Sequence, residues 1–184
     1  MPRHPRPCAL LVGLLAALLA GPAAAAKRTP RPPPPEIVAG KDAAGLVKRL
    51  GAGKPLVLHL FATWCAACKE ELPGLRPHFL ALRKRGVTVV LVSVDGPQSR
   101  GRVPAFLARV GLRSLQTLVL DAEDPGPVAA ALGEPAWDGG LPATFVYDSN
   151  GVKVKALLGA TDPGLLEAAV EAAAPRLRRG TRAD

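Results

Sequence analysis

The chain is poor in aromatic residues. Among 184 residues there are four Phe, two Trp and one Tyr. A surface that stacks nucleobases needs aromatic rings interleaved with basic side chains, and no such platform can be assembled here. The basic residues are spread along the chain, apart from Arg83-Lys84-Arg85 and the tail with Arg176, Arg178, Arg179 and Arg182. The formal charge of +9 therefore reads as general surface charge, and nucleic acid is not an expected partner. Methionine occurs once, at Met1, so there is no methionine-rich tract for soft metal ions. Cysteine occurs three times, at Cys8, Cys65 and Cys68.

The first 26 residues differ in kind from the rest. Arg3 and Arg6 give a positive start, residues 8–20 are a continuous apolar run, Gly21-Pro22 breaks it, and small residues precede Lys27. This is the pattern of a secretory signal peptide over 1–26, with an uncleaved membrane anchor as the alternative. The apolar run is short for a span, which needs about 20 residues. Cys8 would leave with that segment, and the chain would work in a periplasmic or other extracytoplasmic compartment, where disulfides persist. Residues 27–35 carry a proline run that suits an extended linker. One domain over 36–176 and a basic tail over 177–184 follow.

Within that domain, residues 41–53 read as a short helix capped by Asp42 and ended by Gly51. Residues 55–61, 87–95 and 115–121 are short apolar runs rich in strand formers. Leu72, Leu75, Phe79 and Leu82 fall on one helical face, as do Val103, Phe106, Leu107 and Val110. A short helix is expected over 128–132. Two strands flank Asp148-Ser149-Asn150-Gly151, a hairpin signal. A last helix covers 165–173. Strands alternating with helices predict an α/β fold with a mainly parallel central sheet, helices on both faces and a C-terminal antiparallel hairpin.

Cys65 and Cys68 sit where a buried strand gives way to a helix. A cysteine at a helix N-terminus faces unpaired N–H groups and the positive end of the dipole, which favour thiolate. A second cysteine one turn later can attack the first sulfur and release a bound partner. Cys65 is thus the expected attacking thiol and Cys68 the resolving one. A structural zinc would need two further ligands, and only His59 and His78 remain beyond residue 26, so no metal is expected. A purely structural disulfide is the other alternative, but closing so short a loop constrains an unfolded chain little.

The segment "FATWCAACKEELPGL" resembles the active-site region of the thioredoxin superfamily, in its extracytoplasmic TlpA/ResA-like branch. "GLPATFVYDSNGVKV" resembles the later segment of that branch, with its cis-proline, strand and hairpin. The resemblance implies a thioredoxin-like fold over residues 36–176. It implies that Trp64 shapes the partner-docking surface, with core packing as the alternative. Pro73 matches the family's helix-kinking proline. Glu71 matches an acidic residue that tunes the dithiol or accepts a proton, with a solvated helix charge as the alternative. Pro142 matches the cis-proline, and the backbone of Leu141 would pair with an extended client. This sequence departs from the family in having Ala66 and Ala67 between the cysteines, and in having His59 on the buried strand where relatives carry Asp, Asn or an apolar residue. His59 is either a proton relay for Cys68 or a neutral core histidine bonded to backbone or water.

The expected activity is thiol–disulfide exchange by an enzyme whose redox centre is its own dithiol, with no organic cofactor. The expected direction is reduction of specific clients, for which the resemblance suggests apocytochrome c thiols or copper-site cysteines, in cytochrome c biogenesis for instance. A membrane electron donor would recharge the site, and the chain is expected to be a monomer. A Cu(I)-handling metallochaperone and an oxidase-type folding factor are the alternatives. A thiol peroxidase would need a proline-led loop and a peroxide-binding Arg, and the proline is missing.

Overall fold

The structure is a computed structural model that describes residues 34–175. Residues 1–26, for which a signal peptide is expected, residues 27–33 of the linker and the basic tail lie outside the described residues. Among the described residues, six strands and five α-helices follow one another as β1 (Glu36–Ala39), α1 (Leu46–Gly51), β2 (Leu56–Phe61), α2 (Ala66–Lys84), β3 (Thr88–Ser93), α3 (Val103–Arg109), β4 (Gln116–Asp121), α4 (Pro125–Ala131), β5 (Ala143–Tyr147), β6 (Lys153–Leu158) and α5 (Pro163–Ala173). They form one sheet in the order β1-β4-β3-β2-β5-β6. β1, β4, β3 and β2 run parallel, while β5 is antiparallel to both β2 and β6. Crossovers build the parallel part, as expected of strands separated by helices.

β2 is buried along its whole length, so both of its faces need cover. Val57 and Phe61 join the helical faces of α2, α3 and α5 in one apolar cluster, to which Leu72, Leu75, Phe79 and Leu82 of α2 contribute. Leu56, Leu58 and Leu60 face the other way, against residues of α1 and α4. Each fully buried Leu or Phe contributes about 1.5–3 kcal/mol relative to exposure, so the two layers clamp β2 and the loop that follows it. α2 runs unbroken through Pro73 and Pro77. The missing N–H groups leave the carbonyls of Lys69 and Pro73 without helical donors. Both prolines are exposed, so this loss falls on the watered side of the helix.

Local structure departs from the sequence reading at several points. β1 was not anticipated: it has only four residues, directly after the prolines. Residues 40–45 form a 3₁₀ helix before α1, and Asp42 lies inside it and caps nothing. α1 ends at Gly51 as expected, and the left-handed turn that follows it falls on Ala52 and Gly53. α4 begins at Pro125, because the Asp124 carboxylate accepts from the Gly126 N–H at 2.9 Å. The hairpin turn is as expected: Asp148 Oδ1 accepts from the N–H groups of Asn150 and Val152, and Gly151 takes a positive φ of 81°.

Candidate active site

The loop from β2 to α2 delivers Trp64 and Cys65. Asp95, at the end of β3, holds that loop. Its carboxylate accepts from the Thr63 N–H at 2.9 Å, from the Thr63 hydroxyl, and from the Ser93 hydroxyl at 2.7 Å. Asp95 is buried, so three donors to one carboxylate are what make that burial tolerable. Sequence reading passed over Asp95 and Ser93, which look like the last residues of an ordinary strand.

Cys65 is the N-cap of α2, and its sulfur accepts from the Cys68 N–H at 3.1 Å. The two cysteines form a disulfide with their Cα atoms 5.3 Å apart. Cys65 is 7% exposed and Cys68 fully buried, so a partner meets Cys65 first. Trp64, at 66% exposure, is not a core residue. The Leu141–Pro142 peptide bond is cis. Leu141 is partly buried against the apolar cluster that contains both cysteines. It precedes Ala143, the first residue of the β2–β5 ladder, so its backbone is outside that pairing.

A ring of polar side chains joins β2, α2, β5 and the residues after β6. His59 Nδ1 is 2.9 Å from Thr144 Oγ1, and Thr144 Oγ1 is 2.7 Å from Thr161 Oγ1. The Thr161 N–H donates to Glu71 Oε2 at 2.8 Å. Glu71 Oε1 and His59 Nε2 face each other at 3.2 Å without hydrogen-bond geometry, and neither atom has a hydrogen-bond partner among the described residues. His59 is fully buried, and burial pushes its pKa down to about 3. Burial likewise pushes Glu71 up to about 7, although the Thr161 N–H works against it. Glu71 is therefore not a solvated helix charge. His59 is a core histidine, but its partners are side chains rather than backbone or water. Thr144 and Thr161 were invisible to sequence reading, because neither lies near the cysteines in the chain.

A small rotation that brought Nε2 and Oε1 into hydrogen-bond geometry would give two arrangements. With Glu71 ionised, His59 Nε2–H would donate to Oε1, the Thr144 hydroxyl to Nδ1 and the Thr161 hydroxyl to Thr144. With Glu71 protonated, its O–H would donate to Nε2, Nδ1–H to Thr144 and the Thr144 hydroxyl to Thr161. One added proton would then reverse every hydroxyl and ring bond in the chain of contacts. Among the described residues, no three His, Cys, Asp or Glu side chains gather as metal ligands, and no helix is long and apolar enough to cross a membrane.

Comparison with known proteins agrees with this geometry. The chain is 35% identical over 109 residues to the thiol-disulfide oxidoreductase ResA of Geobacillus thermodenitrificans, a match covering 59% of this chain and 56% of that protein. It is 35% identical over 104 residues to the thiol:disulfide interchange protein DsbE of Xylella fastidiosa, covering 55% and 45%. The chain thus spans about half the length of the curated relatives it matches. A solved thiol:disulfide interchange protein of the thioredoxin family from Chlorobium tepidum superposes with a TM-score of 0.52 at 25% identity, over 67% of this chain and 81% of that one. A DsbF homologue from Corynebacterium diphtheriae shares the fold at 22% identity, with a TM-score of 0.55 over 65% and 72%. The AhpC/TSA family model matches residues 42–156, a stretch that contains the dithiol, the Asp95 clamp, the cis-proline and three members of the polar ring. By fold and by sequence, then, the chain belongs to the AhpC/TSA family, within the thioredoxin superfamily and akin to its ResA-like members.

Proposed function

We propose that this chain is an extracytoplasmic thiol-disulfide oxidoreductase that reduces the disulfides of specific protein clients. The observation that carries the reading is the asymmetry of the pair: Cys65 caps α2 and receives the Cys68 N–H, while Cys68 is sealed behind it. In the reduced enzyme the N–H that points at Cys65 favours negative charge on that sulfur. The Cys65 thiolate attacks one client sulfur, a Cys65–client disulfide forms, and the other client sulfur leaves as thiolate and takes a proton. Cys68 loses its proton and attacks Cys65 Sγ, the Cys65–Cys68 bond forms, and the second client thiol departs. Two electrons pass from the dithiol to the client, and the dithiol is the only redox group used.

Glu71 lies one helical turn beyond Cys68 on α2, on the side that faces β2 through His59. We assign the ring the role of proton store for the resolving step. It takes up a proton by the reversal described above, with His59 relaying and without His59 ever carrying net charge. Trp64, Leu141 and Pro142 form the docking edge, where a client backbone can lie along the unladdered Leu141. The names of the relatives in hand support thiol–disulfide exchange; the sequence features of residues 1–26 support export. Clients of the apocytochrome c or copper-site type, and a membrane electron donor, are the expected partners.

The absence of a histidine or proline between the cysteines supports the reducing direction, since Ala66 and Ala67 add nothing that stabilises thiolate. Equilibration of the purified chain against dithiothreitol and glutathione buffers, followed by Trp fluorescence, tests it. We expect a potential nearer about −270 mV than about −120 mV. A value close to the latter, with rapid oxidation of a reduced unfolded protein, would make this a folding oxidase instead.

A further inference from the structure

Next to Trp64 and Leu141 a groove of about 270 Å³ opens toward the segment that follows β4. Its apolar lining includes Val128 and Trp137, both buried. Glu123 and Asp138 also line it, and both are exposed. None of the described residues lining it is basic, in a chain with 24 Lys and Arg against 15 Asp and Glu. The loop that carries Asp138 and Leu141 is fixed in place. Trp137 Nε1–H donates to the Gly140 carbonyl at 2.8 Å, and Asp138 Oδ1 accepts from the Gly140 N–H at 2.9 Å. Gly139 has φ +92°, and a Cβ there would come within 3.2 Å of Pro125 Cβ. Glu123 makes no hydrogen bond or ion pair among the described residues.

We propose that this groove selects the clients: it receives an extended segment with an apolar side chain beside the reacting cysteine and a Lys or Arg within two residues of it. The inference rests on the thiol exchange proposed above and names its substrate class. The apolar side chain packs between Trp64 and Trp137. The cation sits over the two carboxylates, whose field in an otherwise basic protein repels acidic segments and steers basic ones. Both acids are exposed, so the preference is moderate and fades with salt.

The test uses the full chain, reduced with dithiothreitol and then freed of it. The substrates are short peptides whose single cysteine is a mixed disulfide with thionitrobenzoate. Cys65 and then Cys68 donate the two electrons, and the products are the peptide thiol and the coloured thionitrobenzoate thiolate. We expect a peptide with Leu and Lys beside the cysteine to react about threefold to tenfold faster than its Leu and Glu counterpart at low salt. The ratio should narrow in 0.5 M salt, where the Debye length falls to about 4 Å. Glu123→Gln should reduce the ratio about twofold; Glu123 is exposed, so the fold is not at stake. Asp138→Asn, which keeps the oxygen that holds Gly140 N–H, should do the same. Ser in place of Leu should slow both peptides. Equal rates for the Lys and Glu peptides, with both consumed, would overturn the groove inference and leave thiol exchange standing. No release from any peptide, and no reduction of neutral 2-hydroxyethyl disulfide, would overturn both.

Discussion

Glu71→Gln isolates the energetic consequence of burying a carboxyl against a neutral histidine. The Gln carbonyl can accept the Thr161 N–H, and its NH₂ group can donate to His59 Nε2. The variant therefore copies the protonated acid at every pH. In the wild-type fold Glu71 titrates at about 7 rather than 4.5, because burial penalises its charge. A raised folded pKa means that the contribution of the protonated form is complete below pH 4.5 and is lost as pH rises through about 7. The interval from 4.5 to about 7 is worth roughly 3 kcal/mol. The Glu71 side chain is 9% exposed, and local relaxation and the water at its edge reduce this to about 1–2 kcal/mol. Urea unfolding of oxidised wild type and Glu71→Gln, followed by far-ultraviolet circular dichroism at about pH 4 and pH 8.5, reads the effect. The two proteins should be about equally stable at the lower pH, and the variant more stable by about 1–2 kcal/mol at the higher. His59 is pushed down to about 3, and its own pH dependence is common to both proteins and cancels in the difference. A difference independent of pH, or a variant less stable at pH 8.5, would refute the argument, since the latter is what loss of a charged His59–Glu71 pair would produce.

The roles of the cysteines separate by trapping: Cys68→Ala should accumulate mixed disulfides with clients on non-reducing gels, Cys65→Ala should capture none, and equal trapping would contradict the assignment. His59→Asn should slow resolution of a preformed Cys65 mixed disulfide more than its formation, measured by stopped-flow fluorescence, because the ring loses its relay. Asp95→Ala leaves the Thr63 N–H and two hydroxyls without their acceptor and should cost about 2–3 kcal/mol in urea unfolding, with a matching loss of rate in reduction of a test disulfide because the Trp64–Cys65 loop is no longer held.

The fold was legible wherever one residue pattern decided it. β2, apart from His59, and β3 between Thr88 and Ser93 are apolar runs, and α2 shows its buried face as Leu72, Leu75, Phe79 and Leu82. The start of α4 was misjudged although Asp124-Pro125 is a cap followed by a proline at the first helical position, since the surrounding prolines and glycines suggested a loop. At the site, Cys65 and Cys68 stood out because their chemistry depends on local spacing, and Pro142 stood out through the family resemblance of its segment. Of the polar group, His59 and Glu71 were named through the resemblance, but Thr144 and Thr161 were not. The four come from positions 59, 71, 144 and 161; the pairing of β5 with β2 joins His59 to Thr144, and the packing of α2 and of the residues after β6 adds Glu71 and Thr161. Asp95 was hidden for the same reason: its partner Thr63 is 32 residues away, across two adjacent strands.

That ring also bears on how the chain finds its register. His59 and Thr144 are direct cross-strand partners on the antiparallel β2–β5 pair. A one-residue slip of β5 would turn Thr144 to the opposite face and put Ala143 or Phe145 beside His59. The apolar faces would still be buried, because every residue of β5 is apolar except Thr144, so hydrophobic burial alone discriminates poorly between the two pairings. The slipped sheet would, however, entomb an imidazole and a carboxyl that have lost an acceptor and a donor, a penalty of a few kcal/mol that the correct pairing avoids. The same four side chains that would hold a proton during turnover thus act earlier in the protein's life as a proofreading contact, accepting the hairpin half of the molecule onto the β2–α2 half in a single alignment.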